Sequence, residues 1–338
     1  MSISNDPQPP YPLHSSVKDL LDPEYVDFYN QHVINLQQVH LQPVEASRTG
    51  GVLIPGGGPL LDVGKTEDIT IRRRETEGPE ILLRAFTPKG EKPASGWPVM
   101  LYFHGGGWVL GNINTENPVC TNLCVRGNCV VVTVDYRLAP ENRWPAAVHD
   151  CWEALLWLLA DGPSRLSVDT SKMATGGSSA GGNLASIITH KALMLSPSVH
   201  FLAQLLSVPV TDNTATVENN ESYRRYERTP ALPAPKMYWY RNHYLPDEAD
   251  WANAEASPLF YRGDWSQLPR ALVMVGELDV LRTEGEQYAE KLTKAGVQVD
   301  LQVMKGMPHP FLAMDGVLQE GKRSITLMCD LLKEVFWS

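Results

Sequence analysis

Short, nearly uninterrupted apolar runs alternate with longer amphipathic stretches, and no other feature of this chain restricts its fold as much. The runs occupy residues 99–103, 129–134, 173–176, 201–208, 271–275 and 297–303. Between them the spacing becomes helical. Val148, Trp152, Leu155, Leu156 and Leu159 mark one face of a helix over residues 146–159. Leu184, Ile187 and Ile188 do so over 179–195, and Met328, Leu331, Leu332 and Val335 define a last helix. A strand can be apolar throughout only when both faces of its sheet are covered, and helices between successive strands supply that cover. The pattern predicts an α/β fold on a mostly parallel sheet. Residues 68–75 and 81–87 read as two further strands joined by a turn at Gly78-Pro79, without a helix between them. An antiparallel pair should therefore begin the sheet.

Two regions break the alternation. Residues 1–12, with Pro7, Pro9, Pro10 and Pro12, read as an unanchored arm. Val17, Leu20, Leu21, Tyr25, Phe28 and Tyr29 then draw a helical stripe within residues 17–39, which Pro23 breaks or restarts. Residues 212–256 are polar and Pro-rich and carry Tyr238, Trp239, Tyr240 and Tyr244. An insertion between sheet strands usually lies over their carboxyl ends, where α/β sites are built. The expected organisation is an arm and first cap segment at 1–65, a core at 66–211 and 257–338, and a second cap segment at 212–256.

Gly177-Ser178-Ser179-Ala180-Gly181 joins a predicted strand to a predicted helix. It matches the Gly-x-Ser-x-Gly elbow, in which glycines two residues either side let a sharp turn close and expose the serine. Ser178 is the rival nucleophile, but Gly176 and Ala180 occupy the corresponding positions around it, so the glycine pair selects Ser179. Attack on a carbonyl also needs donors for the oxygen that becomes anionic. His104-Gly105-Gly106-Gly107-Trp108 follows a strand and can offer backbone N–H groups; the expected donors are Gly105, Gly106 and Ala180. His104 precedes the nucleophile in the chain and is read as a loop-positioning residue. His309, between Pro308 and Pro310 after the last strand, is the expected base. The acid should lie between serine and histidine, and Asp279 leaves the end of a strand there, with Glu277 and Glu284 as alternatives. Trp108, Tyr238, Trp239 and Tyr240 are candidates for the substrate pocket wall.

Composition narrows the partners. Among 338 residues, 29 Lys and Arg face 39 Asp and Glu, a net charge of -10, which argues against nucleic acid or an anionic membrane surface. No apolar stretch approaches the ~20 residues of a membrane span, and no leader-like basic and apolar segment is visible, so a cytoplasmic protein is expected. Five cysteines suggest buried thiols in a reducing compartment. Cys120, Cys124 and Cys129 lie close in sequence but lack nearby ligand groups, so no metal site is expected.

Together these residues resemble the hormone-sensitive lipase family of esterases from about residue 66 onward. The shared motifs are His-Gly-Gly-Gly at 104–107, Asp135-Tyr136-Arg137-Leu138-Ala139-Pro140-Glu141, and the elbow at 177–181. They continue with Ala256-Ser257-Pro258-Leu259, Asp279-Val280-Leu281-Arg282 and Gly306-Met307-Pro308-His309. Two positions depart: Ser178 stands where the family commonly has Asp or Thr, and Val280 where Pro is frequent. The resemblance implies an α/β-hydrolase fold with an eight-stranded, mostly parallel sheet and a helical cap. It also implies carboxylesterase activity on a small-molecule ester without a cofactor, and a structural role for residues 135–141. An arylformamidase, a tailoring esterase for one secondary metabolite, and a noncatalytic small-molecule receptor on the same fold are the alternatives. Oligomeric state is left open, a homodimer included.

Overall fold

The computed structural model describes residues 10–49 and 53–337. Pro7 and Pro9 of the expected arm lie outside the described residues. Among the described residues, eight strands form one sheet: β1 (Lys65–Ile71), β2 (Ile81–Thr87), β3 (Trp97–Phe103), β4 (Val130–Val134), β5 (Val168–Ser178), β6 (Ala203–Ser207), β7 (Arg270–Gly276) and β8 (Val299–Met304). Their spatial order is β1-β2-β4-β3-β5-β6-β7-β8. β2 pairs antiparallel with both β1 and β4, and every later pairing is parallel.

The central strands explain the apolar runs. Every residue of β3, β4 and β6 is buried, which requires cover on both faces. The helices supply it in two groups: α3 (Asn117–Gly127) packs on α9 (Gln319–Trp337), and α4 (Ala146–Arg165) packs on α5 (Ala180–Ala192). Burying a Leu or Phe fully contributes roughly 1.5–3 kcal/mol, so Leu101, Phe103, Leu205 and Leu206 anchor the sheet strongly. All five cysteines are free and buried within these layers.

The first strand begins earlier than the sequence suggested. Arg72, Arg73 and Arg74 leave the ladder after β1. Arg73 pairs with buried Asp150 on α4, and the Arg74 N–H donates to Glu153 at 2.7 Å. Asp150 also receives Arg137, its Nη2 at 2.8 Å, which ties the 135–141 stretch to α4. Those charge-assisted bonds hold residues 73 and 74 away from the strand expected to run to residue 75.

The N-terminal stripe is a set of short pieces rather than one helix. α1 (Pro23–Phe28) starts with Pro23 in its first turn and Asp22 accepting from the Glu24 N–H at 2.8 Å. Proline therefore starts the helix, as its fixed φ permits. A π-helical turn follows over Tyr29–Val33, then a 3₁₀ turn at Val39–Leu41 and α2 (Val44–Thr49). Val17, Leu21, Tyr25 and Tyr29 are buried, whereas Leu20 is exposed. Arg48 on α2 reaches the core, donating to the Val109 and Ala139 carbonyls at 2.9 and 2.6 Å and to Glu141 at 2.7 Å. Residues 212–256 contain α6 (Glu221–Arg225) and α7 (Ala234–Tyr244), and α7 packs on the 3₁₀ turn at Val39–Leu41. α8 (Arg282–Lys294) connects β7 to β8. No helix among the described residues is long and apolar enough to cross a membrane.

Candidate active site

β5 ends at Ser178 and α5 begins at Ala180, so Ser179 is the single residue between strand and helix. Its φ of 54° and ψ of -118° form a conformation that a residue with a Cβ rarely adopts. The surroundings hold it there. Ser179 N–H donates to the Ser207 carbonyl at 2.9 Å, and Asn183 N–H donates to the Ser179 carbonyl at 3.0 Å. A Cβ on Gly177 or Gly181 would run into the Phe103 carbonyl at the end of β3. The glycine spacing is thus a packing requirement of the elbow.

The loops after β7 and β8 carry Asp279 and His309. Gly276 lets them touch, since a Cβ there would lie 2.8 Å from the Met307 carbonyl oxygen. Leu278 N–H donates to that oxygen at 3.0 Å. Asp279 is buried, with one oxygen accepting from Leu281 N–H at 3.1 Å and the other 2.7 Å from His309 Nδ1. His309 Nε2 lies 2.8 Å from Ser179 Oγ. Beside a carboxylate, Nδ1 is assigned the proton, and Nε2 is left to accept the serine O–H.

Competing assignments are engaged elsewhere. Glu277 accepts from Gly306 N–H and Lys305 Nζ, each at 2.9 Å. Glu284 is buried beneath residues 211–212 and accepts from their N–H groups at 2.7 and 3.1 Å. The Ser178 hydroxyl donates to Glu116 rather than facing His309.

Gly106 and Gly107 have φ of 127° and 60°, a region that favours glycine. A Cβ on Gly106 would strike the Leu110 carbonyl, and one on Gly107 would overlap the Tyr240 ring. His104 is internal to this loop: Nδ1 lies 2.7 Å from the Gly105 carbonyl, and the Tyr136 hydroxyl donates to the His104 carbonyl at 2.7 Å. Burial lowers its pKa to about 4 against the opposing Gly105 bond, so the ring is neutral. The amide of Gly105 hydrogen-bonds the Glu116 carboxylate, which sets it apart from Gly106 and Ala180.

Glu116 was not singled out from the sequence. It precedes α3 with a φ of 61°, is buried, and accepts from Ser178 and from the Tyr102 hydroxyl at 2.8 Å. Burial raises its carboxyl pKa, while the bonds from Ser178, Tyr102 and Gly105 oppose the rise. No motif spacing marks it. Only the return of the loop after β3 brings it beneath the elbow.

A cavity of about 1070 Å³, its open mouth included, is lined by Ser179, His309 and Gly105, Gly106 and Gly107. Tyr25, Val33 and Val39, then Leu53, Ile54 and Pro55, contribute apolar wall from the N-terminal segment. Met237 and Tyr240 contribute from α7. Of the four aromatic residues expected in the wall, only Tyr240 lies there. Trp108 is fully buried and stacks on Tyr244 with centroids 4.4 Å apart. The Tyr238 hydroxyl accepts from Val217 N–H at 2.9 Å, and Trp239 packs on His243 at 4.5 Å. Those three aromatics hold the second insertion to itself and to the core; a lid needs packing as well as a pocket face.

A nucleophile elbow, a glycine-rich donor loop and a histidine–aspartate pair at the carboxyl ends of parallel strands define an α/β-hydrolase. A family model described as the alpha/beta hydrolase fold matches residues 100–313, and the chain belongs to this family, the hormone-sensitive lipase-like group. It is 50% identical to an AB hydrolase superfamily protein of Schizosaccharomyces pombe, over 92% of this chain and 93% of that one. It is 34% identical to an arylesterase of Saccharolobus solfataricus, over 94% and 99% of the two chains. Among solved structures, a Pyrobaculum calidifontis esterase is similar with a TM-score of 0.81 and 33% identity, covering 93% of this chain and 98% of its own. A thermostable carboxylesterase cloned from a metagenomic library has a TM-score of 0.75 and 33% identity, with coverage of 82% and 91%.

Proposed function

We propose that this chain, a carboxylic ester hydrolase by family and fold, acts through Ser179 as nucleophile, His309 as general base and Asp279 as the group that holds the imidazole. The observation that carries this reading is the unbroken line from Asp279 through His309 to Ser179, with contacts of 2.7 and 2.8 Å. Ser179 Oγ attacks the ester carbonyl as its proton passes to His309 Nε2. The carbonyl oxygen becomes an alkoxide that the N–H groups of Gly106 and Ala180 stabilise. Gly105 adjoins them, with its amide shared with Glu116. Removing one such donor typically costs about 10²–10³ in rate. The imidazolium, stabilised by Asp279, returns the proton to the leaving alcohol and an acyl-enzyme remains. His309 then takes a proton from water, the hydroxide attacks the acyl carbon, and collapse of the second intermediate frees the acid and Ser179.

Residues 1–65 and 212–256 form, in this reading, the two parts of a cap over the site. Its support is that both regions contribute to the cavity wall. The apolar wall suits esters of small to medium size with an alkyl or aryl stem. Five unpaired, buried thiols fit a reducing, cytoplasmic setting.

The test is hydrolysis of p-nitrophenyl esters of rising acyl length by the wild type and by Ser179→Ala. Turnover should fall at least ~10³-fold while the melting temperature holds. Retained turnover in a folded variant would remove Ser179 from its role.

A further inference from the structure

Among the described residues, two charged side chains other than the proposed catalytic groups line the cavity, Glu116 and Lys236. They differ in one respect. Glu116 is satisfied by Ser178, Tyr102 and Gly105. Lys236, in the first turn of α7, donates to the Ala231 carbonyl at 2.7 Å and has no anionic partner among the described residues. An ammonium carries three donors, so two remain. Lys236 is part-buried, and no counter-ion among those residues offsets the water that its ammonium loses. Burial lowers its pKa only to about 8, so the group is cationic at neutral pH. His40 faces it from the N-terminal segment and is held neutral there, its pKa lowered to about 4 by burial and then by Lys236.

Tyr240 relates this cation to the reacting groups. Its ring is packed so closely on Gly107 that a Cβ there would overlap it. Lys236 Nζ lies 6.0 Å from the centroid of that ring. The ammonium and the donor loop thus both adjoin the same aromatic side chain. Glu116, at the nucleophile's side, disfavours an anion near the scissile bond.

We propose that Lys236 binds an anionic tail of the substrate, so that the preferred esters carry a carboxylate remote from the scissile bond and lay their stem along the apolar wall. This rests on the Ser179 reading. A solely structural Lys236 would do no more than hold the Ala231 carbonyl, and would not discriminate charged from neutral esters.

The experiment compares kcat/KM for p-nitrophenyl butyrate with that for mono-p-nitrophenyl glutarate and adipate, in the wild type, Lys236→Gln and Lys236→Arg. A second arm compares phenyl butyrate with 4-butyryloxybenzoate, which carries its carboxylate on the alcohol side. In at least one arm the charged-to-neutral ratio should fall about tenfold or more in Lys236→Gln, chiefly through KM, and be restored by Lys236→Arg. Lys236→Met replaces the Gln variant if that does not fold. A uniform loss on charged and neutral esters, or no change of ratio in either arm, overturns the proposal. Failure of the wild type on every neutral and charged ester would instead reject the esterase reading, and this proposal with it.

Discussion

Glu116 ties together parts of the site that arrive on different strands. Its carboxylate joins the Gly105 amide and Tyr102 hydroxyl, on and after β3, to the Ser178 hydroxyl at the end of β5. It is a positioning residue, acting through the loop and elbow that it connects. Glu116→Gln keeps its length and an acceptor oxygen, whereas Glu116→Ala removes the tie. The expected outcome is a kcat about 10–100-fold lower in the Ala variant, within a few-fold of wild type in the Gln variant, and little change in KM in either. Steady-state kinetics on one neutral ester checks this. An equal loss in both would make the carboxylate's charge, not its reach, the property that matters. Residues like this were hidden from sequence reading because their significance is a meeting of loops. Ser179 and His309, by contrast, sit in local patterns whose glycine and proline spacing has a direct steric cause.

At the scale of elements, α5 and α8 meet through a buried histidine. His190 Nε2 lies 2.9 Å from the Tyr288 hydroxyl, and its ring stacks on Tyr261 at 4.1 Å. Burial lowers its pKa to about 3 from an ordinary 6.5. The unfolded chain therefore binds a proton below about pH 6.5 that the folded chain refuses. Its stability contribution is intact above that pH and declines as pH falls from 6.5 toward 3. His190→Gln should be less stable than wild type at pH 7.5, through the lost stacking, yet the gap should narrow as pH drops to about 4. Thermal melts across that range report it, and a gap independent of pH would show that the ring is not held neutral. The elements themselves were legible to different degrees. The central strands β3, β4 and β6 followed from apolar runs, because full burial leaves no other composition. The end of β1 did not, because Arg73 and Arg74 leave the ladder to pair with Asp150 and Asp161 on α4.

Across the whole molecule, the arrangement of sheet and covering segments decides which residues face the cavity. The restart at Pro23 was legible in the sequence, but the division of the following residues into short pieces was not, because their apolar side chains serve separate contacts and no sequence period signals a π-helical turn. Trp108, Tyr238 and Trp239 misled for a related reason: an aromatic residue in a loop or insertion near the site fits a packing role as readily as a pocket wall. Arg48 fastens the N-terminal segment to the core through two carbonyls and Glu141. Arg48→Met should loosen that side of the cavity and raise KM for longer acyl chains several-fold more than it lowers kcat. A loss confined to kcat would show that the segment's attachment does not shape the binding cavity.

The central assignment concerns a single oxygen atom. Treating the protein with a fluorophosphonate and mapping the adduct by peptide mass spectrometry identifies that atom's residue directly. The expected modification is stoichiometric and on Ser179, and it should vanish in His309→Ala. An adduct on Ser178, or an unmodified protein that still hydrolyses esters, would contradict the proposed chemistry.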